Sequence, residues 1–250
     1  MLQLPIAPMA VGDYHGFPRQ DFLLEGRLGV VISPHTARPG MPWIWRAEFL
    51  GAFDTVDVAM LHAGFHLAYY QVSDMYGCPA SIALMKGFYD FLTEQVGLAR
   101  RTVLFGFSRG GLYAVNFAAQ FPEAICALYL DAPVLDIRSW PGGLMQGEGA
   151  PAEYAQCLAC YGLDADTIGN FHSNPLDKLP TLRQTHIPIA LVAGDADPVV
   201  PHTENAQLLA DDYRAHGEKL LYILKPGCAH HPHSLEDPTP VVEFLLSCMA

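Results

Sequence analysis

Between Thr102 and Tyr113 the chain reads TVLFGFSRGGLY, a stretch that leaves few choices of fold. The short apolar run Val103-Leu104-Phe105 has the composition of a parallel strand buried on both faces. Gly106-Phe107-Ser108-Arg109-Gly110-Gly111 follows, and helix-forming residues run on from Leu112. This is G-x-S-x-G between a strand and a helix, the setting that motif requires. A serine on such a turn is held in a strained backbone conformation. The neighbouring chain can pass only where the flanks lack side chains, a part that falls to Gly106 and Gly110. The turn lifts Ser108 Oγ to the carboxyl edge of the sheet. It also aims the Arg109 N–H at a helix start, where negative charge is favoured. A Gly-Ser-Gly turn can exist without chemistry, so the other segments have to decide.

Those segments alternate. Residues 1–20 look irregular; 21–25 and 27–33, with Gly26 between them, form an antiparallel hairpin. A breaker-rich loop at 34–40 precedes a short aromatic strand at 42–46. Helical spacing over 54–63 and 79–96 brackets a strand at 65–72, with Pro79 opening the second helix and Gly97 closing it. After the Ser108 strand and its helix, which runs to about Gln120, strands are predicted at 125–130, 187–194 and 220–224. Helices are predicted at 152–161, 203–216 and 240–248. Alternating strands and helices imply a mostly parallel sheet with helices on both faces. At 250 residues, half of them hydrophobic, the chain suits one α/β domain over 1–250. The stretch 136–180 is too long for a simple connection and reads as a cap or lid insertion over the site.

Composition excludes several classes. A net charge of −12 without a basic run argues against nucleic acid and anionic membranes. The apolar runs are strand-sized, too short to span a bilayer. The first sixteen residues lack a basic n-region and are broken by Pro5 and Pro8, which predicts a cytoplasmic protein; a secreted form with its signal removed stays open. The six cysteines are scattered, which favours free thiols in a reducing compartment. Cys157 and Cys160 have CxxC spacing, but no second pair completes a zinc site.

A serine nucleophile needs a base, and the base needs an orienting carboxylate. The strand ending at Gly194 is followed by Asp195-Ala-Asp197-Pro-Val-Val-Pro201. The strand ending at Leu224 is followed by Lys225-Pro-Gly-Cys-Ala-His230-His231-Pro-His233. Ser, Asp and His therefore each follow their own strand, in that order. On these three loops, GFSRG, GDADPVVP and PGCAHHPH, the chain resembles an α/β-hydrolase from about residue 21 to its C-terminus. The resemblance implies a mostly parallel, eight-stranded α/β sheet with an antiparallel N-terminal hairpin, helices on both faces and a small cap insertion. It also implies Ser108 as nucleophile, Asp197 as acid and His230 as base, with His231 the alternative base. Asp195, which could instead cap a turn, and Asp131, which follows the strand at 125–130, are the weaker acids; His233 is expected to bond a loop carbonyl.

The oxyanion hole needs two backbone donors. One is Arg109 N–H; the other is expected from Ala47 or Glu48, after the aromatic strand. The chain departs from the family there, since Arg-Ala-Glu-Phe replaces a His-Gly or Gly-rich run. An ion pair involving Arg46 or Glu48 is expected to fix the shape of that turn. Trp140, Arg46 and Arg109 are the candidate substrate contacts, while Trp43 and Trp45 read as core. No metal or cofactor is expected: His62 and His66 lack the glutamate of HExxH, and no carboxylates or thiolates converge in sequence on His230, His231 and His233. The expected activity is cofactor-independent hydrolysis of small-molecule carboxylic esters, with short-chain or carbohydrate acyl esters favoured, by a monomer or homodimer. Peptidase or lactonase chemistry on the same triad, or a catalytically silent binding protein, are the alternatives.

Overall fold

The computed structural model describes residues 2–249. Its strands form a single sheet: β1 (Ala10–Tyr14), β2 (Phe17–Leu24), β3 (Arg27–Ile32), β4 (Trp43–Arg46), β5 (His66–Tyr70), β6 (Thr102–Phe107), β7 (Ile125–Asp131), β8 (Ile189–Gly194) and β9 (Leu220–Lys225). The spatial order is β1-β2-β3-β5-β4-β6-β7-β8-β9. β1, β2, β3 and β5 pair antiparallel in succession, and every later pairing is parallel.

The sheet has nine strands among the described residues, one more than expected. The addition is β1, whose sequence, AVGDY, leaves four of five residues exposed. An edge strand with little to bury carries no period-two apolar signal, so residues 10–14 read as irregular. Backbone pairing with β2 holds it, helped by Tyr14, whose hydroxyl donates to Asp54 at 2.7 Å.

Helices α1 (Thr55–His62) and α7 (Thr239–Ser247) cover one face of the sheet. On the other lie α2 (Pro79–Asp90), α3 (Gly110–Gln120), α4 (Pro151–Tyr161), α5 (Leu179–Gln184) and α6 (Ala206–Ala215). Strand alternation sorts the side chains between the two layers. Trp43 and Trp45 enter the α2/α3 side, where Trp45 meets Phe88 and Phe117. Ile44 enters the α1/α7 side. β6 and β7 are buried along their whole length, so their carboxyl ends are held by packing on both faces.

Residues 136–180 run between β7 and β8 and carry α4. They are tied to the body at several points. Tyr161 donates to Tyr76 O at 2.8 Å, Tyr76 donates to Gln156 at 2.9 Å, and Ser139 donates to Glu204 at 2.7 Å. All six cysteines are free thiols. Among the described residues no helix is long and apolar enough to cross a membrane.

Candidate active site

Ser108 stands between β6 and α3 with φ of 49°, a region that a residue with a β-carbon enters only under constraint. Neighbouring backbone supplies the constraint. Ser108 N–H donates to Asp131 O at 2.9 Å, and Ser108 O accepts from Gly111 N–H at 3.0 Å and Val134 N–H at 2.9 Å. A β-carbon at Gly106 would lie 2.8 Å from Ala114 Cβ and Gly110 O. One at Gly111 would lie 2.7 Å from Pro133 Cβ, whereas one at Gly110 would meet Glu48 Cβ only at 3.4 Å. The second steric requirement therefore falls on Gly111 rather than on Gly110.

Three loops converge above this turn. Ser108 Oγ lies 2.9 Å from His230 Nε2, and His230 Nδ1 lies 2.7 Å from Asp197 Oδ2. The other Asp197 oxygen accepts from Val199 and Val200 N–H, both at 2.9 Å, which fixes the carboxylate plane. An ionised carboxylate can only accept, so the imidazole proton sits on Nδ1 and Nε2 offers its lone pair to the hydroxyl. His230 and Asp197 are both buried. Asp195 turns away and accepts from Gly227 N–H at 2.6 Å, capping the histidine loop. His231 is exposed, with burial and the neighbouring His233 and His230 lowering its pKa.

His233 does not bond a loop carbonyl as expected. Its Nδ1 lies 2.7 Å from Asp131 Oδ1, and Asp131 Oδ2 accepts from Ser234 N–H at 2.8 Å. Asp131 thus serves a second buried Asp–His pair. The carboxylate is legible in the sequence at the end of 125–130, but its partner, three residues beyond His230, is not.

The turn after β4 takes its shape from two ion pairs. Arg46 is wholly buried, 3.4 Å from Asp57, with its guanidinium 3.9 Å from the centre of the Phe107 ring. It donates to the carbonyls of Phe49 and Ala52. It therefore cannot be a substrate contact. Burial pushes the Asp57 carboxyl up to about 6, against the pull of Arg46. Buried Glu48 pairs with Arg109 Nε at 2.9 Å, and burial raises its pKa despite that partner. Arg109 also reaches Asp74 at 2.9 Å, so its side chain is committed to ion pairs. Ala47 N–H donates to Phe105 O at 3.1 Å and extends the sheet, which removes Ala47 as an oxyanion donor.

A cavity of about 170 Å³ opens at Ser108, lined by Phe49, Ala52, Phe53, Phe107, His230, His231 and His233. No residue of 136–180 is in that lining. Trp140, expected as a substrate contact, is partly buried against the core, its ring 6.4 Å from that of Tyr76.

No family model matches this sequence, and no curated protein matches it. Solved structures do. An S-formylglutathione hydrolase from Agrobacterium tumefaciens aligns with a TM-score of 0.64 at 12% identity, over 98% of this chain and 97% of that one. A puromycin-hydrolyzing peptidase from Mycobacterium tuberculosis aligns with a TM-score of 0.69 at 15% identity. Dipeptidyl peptidase 4 of Porphyromonas gingivalis aligns with a TM-score of 0.65 at 14% identity. The chain adopts the α/β-hydrolase fold. Both peptidase matches take in 92% of this chain but only 38% and 35% of the peptidases, so it spans little more than a third of their length.

Within this α/β-hydrolase fold, the aromatic pair of the cavity, Phe49 and Phe53, escaped sequence reasoning. Both have positive φ, 57° and 52°, in a turn whose only glycine is Gly51. Their signal was the run Phe-Leu-Gly-Ala-Phe between strand and helix, too short to show a period.

Proposed function

We propose that this chain is a cofactor-independent serine hydrolase that cleaves carboxylic esters of short acyl groups. The reading rests on one observation, the unbroken line from Ser108 Oγ through His230 to Asp197, at 2.9 and 2.7 Å. In this reading Ser108 attacks the acyl carbon while His230 Nε2 takes its proton, and Asp197 holds the imidazole in that tautomer. The N–H groups of Arg109 and of the Glu48–Phe49 turn receive the charge that develops on the carbonyl oxygen. His230 returns the proton to the departing alcohol, and water then cleaves the acyl-enzyme by the same route reversed.

Acyl size follows from the cavity. About 170 Å³ walled by Phe49, Ala52, Phe53 and Phe107 suits an acetyl-sized group. The lining carries no carboxylate among the described residues, so a peptide's terminal ammonium finds no counter-charge there. That favours esters over the peptides acted on by two of the fold neighbours. The carbohydrate preference loses its support with Trp140. Residues 136–180 belong to the same single domain as an insertion beside the catalytic edge.

Turnover of p-nitrophenyl acetate, with labelling by a fluorophosphonate probe, tests the reading. The native protein should react with both, Ser108→Ala with neither, and alanine p-nitroanilide should be the poorer substrate. A Ser108→Ala protein that keeps native turnover, or a native protein that the probe leaves untouched, would overturn it.

A further inference from the structure

In the sequence no carboxylate converges on the histidine loop. The fold supplies two. Asp197 accepts from His230 Nδ1 and Asp131 lies against His233 Nδ1, each at 2.7 Å and each buried. Both imidazoles thereby keep Nε2 as the unprotonated nitrogen, which on His230 faces Ser108 Oγ at 2.9 Å. A carboxylate behind a histidine is the arrangement that orients imidazole ligands toward a metal.

His231 completes a triangle. The three ring centres lie 4.9, 4.8 and 4.9 Å apart, and the rings stand at 65°, 80° and 89° to one another, like the blades of a propeller. One nitrogen from each ring lies within 4.8 Å of the other two. All three rings line the cavity that holds Ser108. Tetrahedral zinc at ~2.0–2.1 Å from each nitrogen needs them roughly 3.3 Å apart. The triangle must therefore tighten, and the ring with most room to move is the exposed His231, stacked on Phe53 with ring centres 5.4 Å apart. Three imidazoles select borderline cations of the zinc, cobalt and copper group over magnesium or calcium. Two buried carboxylates offset the double charge. The cations nearby are otherwise engaged: Arg46 with Asp57, and Lys225 with the carbonyls of Pro232 and Ser234.

We propose that His230, His231 and His233 form a three-imidazole site for a zinc-class divalent cation, and that an ion bound there silences Ser108 by occupying His230 Nε2. The site itself stands on geometry alone; the silencing rests on the serine hydrolase reading. A nitrogen that holds a metal cannot accept the hydroxyl proton, so the ion and the acyl transfer exclude each other.

The test separates the two parts. Zn²⁺ binding is measured by calorimetry, and Co²⁺ binding by its visible absorption, on the native protein and on Ser108→Ala, which keeps all three histidines. Both proteins should bind one ion. His231→Ala, an exposed change, should weaken binding at least ~10-fold, and Asp131→Asn about 10–100-fold, the usual range for a carboxylate behind a ligand. Zn²⁺ should block fluorophosphonate labelling, and a chelator should restore it. No Zn²⁺ binding below about 1 mM, or unchanged affinity in His231→Ala, overturns the site. Binding with this mutational pattern while labelling proceeds unhindered overturns the silencing and keeps the site. Binding with this pattern in a protein that neither reacts with the probe nor turns over any ester supports the site and sinks the hydrolase reading instead.

Discussion

Replacing Gly194 with alanine should separate the acid loop from the histidine loop, and the structure sets the size of the effect. A β-carbon at Gly194 would stand 2.1 Å from Cys228 O and 2.7 Å from Ala229 O, both backbone atoms. Ordinary contact begins near 3.4 Å, so the Cys228 carbonyl must retreat by about 1.3 Å. That carbonyl also accepts from Ala196 N–H at 3.0 Å, so the retreat breaks one of the bonds that join the two loops. His230 lies two residues further on, and its 2.9 Å reach to Ser108 would be lost with the loop position. A misplacement of about 1 Å at reacting groups costs roughly 10²-fold in rate. Overpacking of this kind costs about 1–3 kcal/mol. A chain of this length loses roughly 2–4 °C per kcal/mol, so Tm should fall by roughly 2–12 °C. Gly87→Ala is the control: nothing lies within 4 Å of that β-carbon in the interior of α2, and stability should rise by about 0.5–1 kcal/mol. Ester turnover per titrated active site and a thermal melt measure both quantities. Gly194→Ala with native kcat/KM and native Tm would refute the steric reasoning, and a lowered Tm with native kcat/KM would show that the loop moves without carrying His230.

Three further outcomes rest on buried polar groups. Asp131→Asn leaves His233 and Ser234 N–H facing an amide in place of a carboxylate, and urea melts should show a loss of about 1–3 kcal/mol; a loss under about 0.5 kcal/mol, the scatter of an ordinary surface change, would count against that pair. Asp57 has its pKa raised by burial to about 6, so the folded state binds this proton more tightly than the unfolded chain does. Stability relative to Asp57→Asn should therefore fall by about 3 kcal/mol as pH rises from about 4 to 6, and parallel stability curves would exclude it. His66 has the opposite sign. Burial lowers its pKa to about 4, and neither ring nitrogen has a hydrogen-bond partner among the described residues. The unfolded chain binds that proton more tightly, so the native protein should lose about 3 kcal/mol relative to His66→Leu as pH falls from about 6.5 to 4; equal acid sensitivity in the two proteins would refute this.

The elements that depend on burial were legible in the sequence. β6, β7 and β8 are apolar runs because both of their faces are covered, and their ends announce Ser108, Asp131 and Asp197. β1 was not legible, since its stability comes from backbone pairing at an exposed edge. The hydrogen-bonded line through residues 108, 230 and 197 could be anticipated because each residue follows a strand, and a parallel sheet brings strand ends together whatever the intervening sequence. Choices that depend on side-chain direction could not. Ala47 N–H continues the sheet while Glu48 turns to Arg109, and no pattern in Arg-Ala-Glu-Phe tells the two apart. The spacing of the motif points to Gly110, whereas the crowding falls on Gly111 and comes from the segment just after β7, at Pro133 and Val134.

The carboxyl edge of the sheet, around Ser108, also holds most of the buried charges. Asp197 with His230, Asp131 with His233, Arg46 with Asp57 and Glu48 with Arg109 gather where β4, β6, β7, β8 and β9 end, with Asp57 reaching in from the first turn of α1. A buried pair is weak as a source of stability, because desolvation offsets most of the attraction, and apolar replacements would often do as well. Four such pairs in one region therefore need a reason other than stability, and the turn after β4 supplies one. Phe49 and Phe53 hold positive φ in that turn with only Gly51 to ease it, and Arg46 bonds the carbonyls of Phe49 and Ala52 from below. This turn is held by a buried cation and not by the freedom of a glycine run. Arg46 in turn needs Asp57 to remain in the core, so α1 is bound to the shape of the cavity. A change at Asp57, on the far side of the sheet from the α2 and α3 layer, should reach the cavity at Ser108 through that single guanidinium.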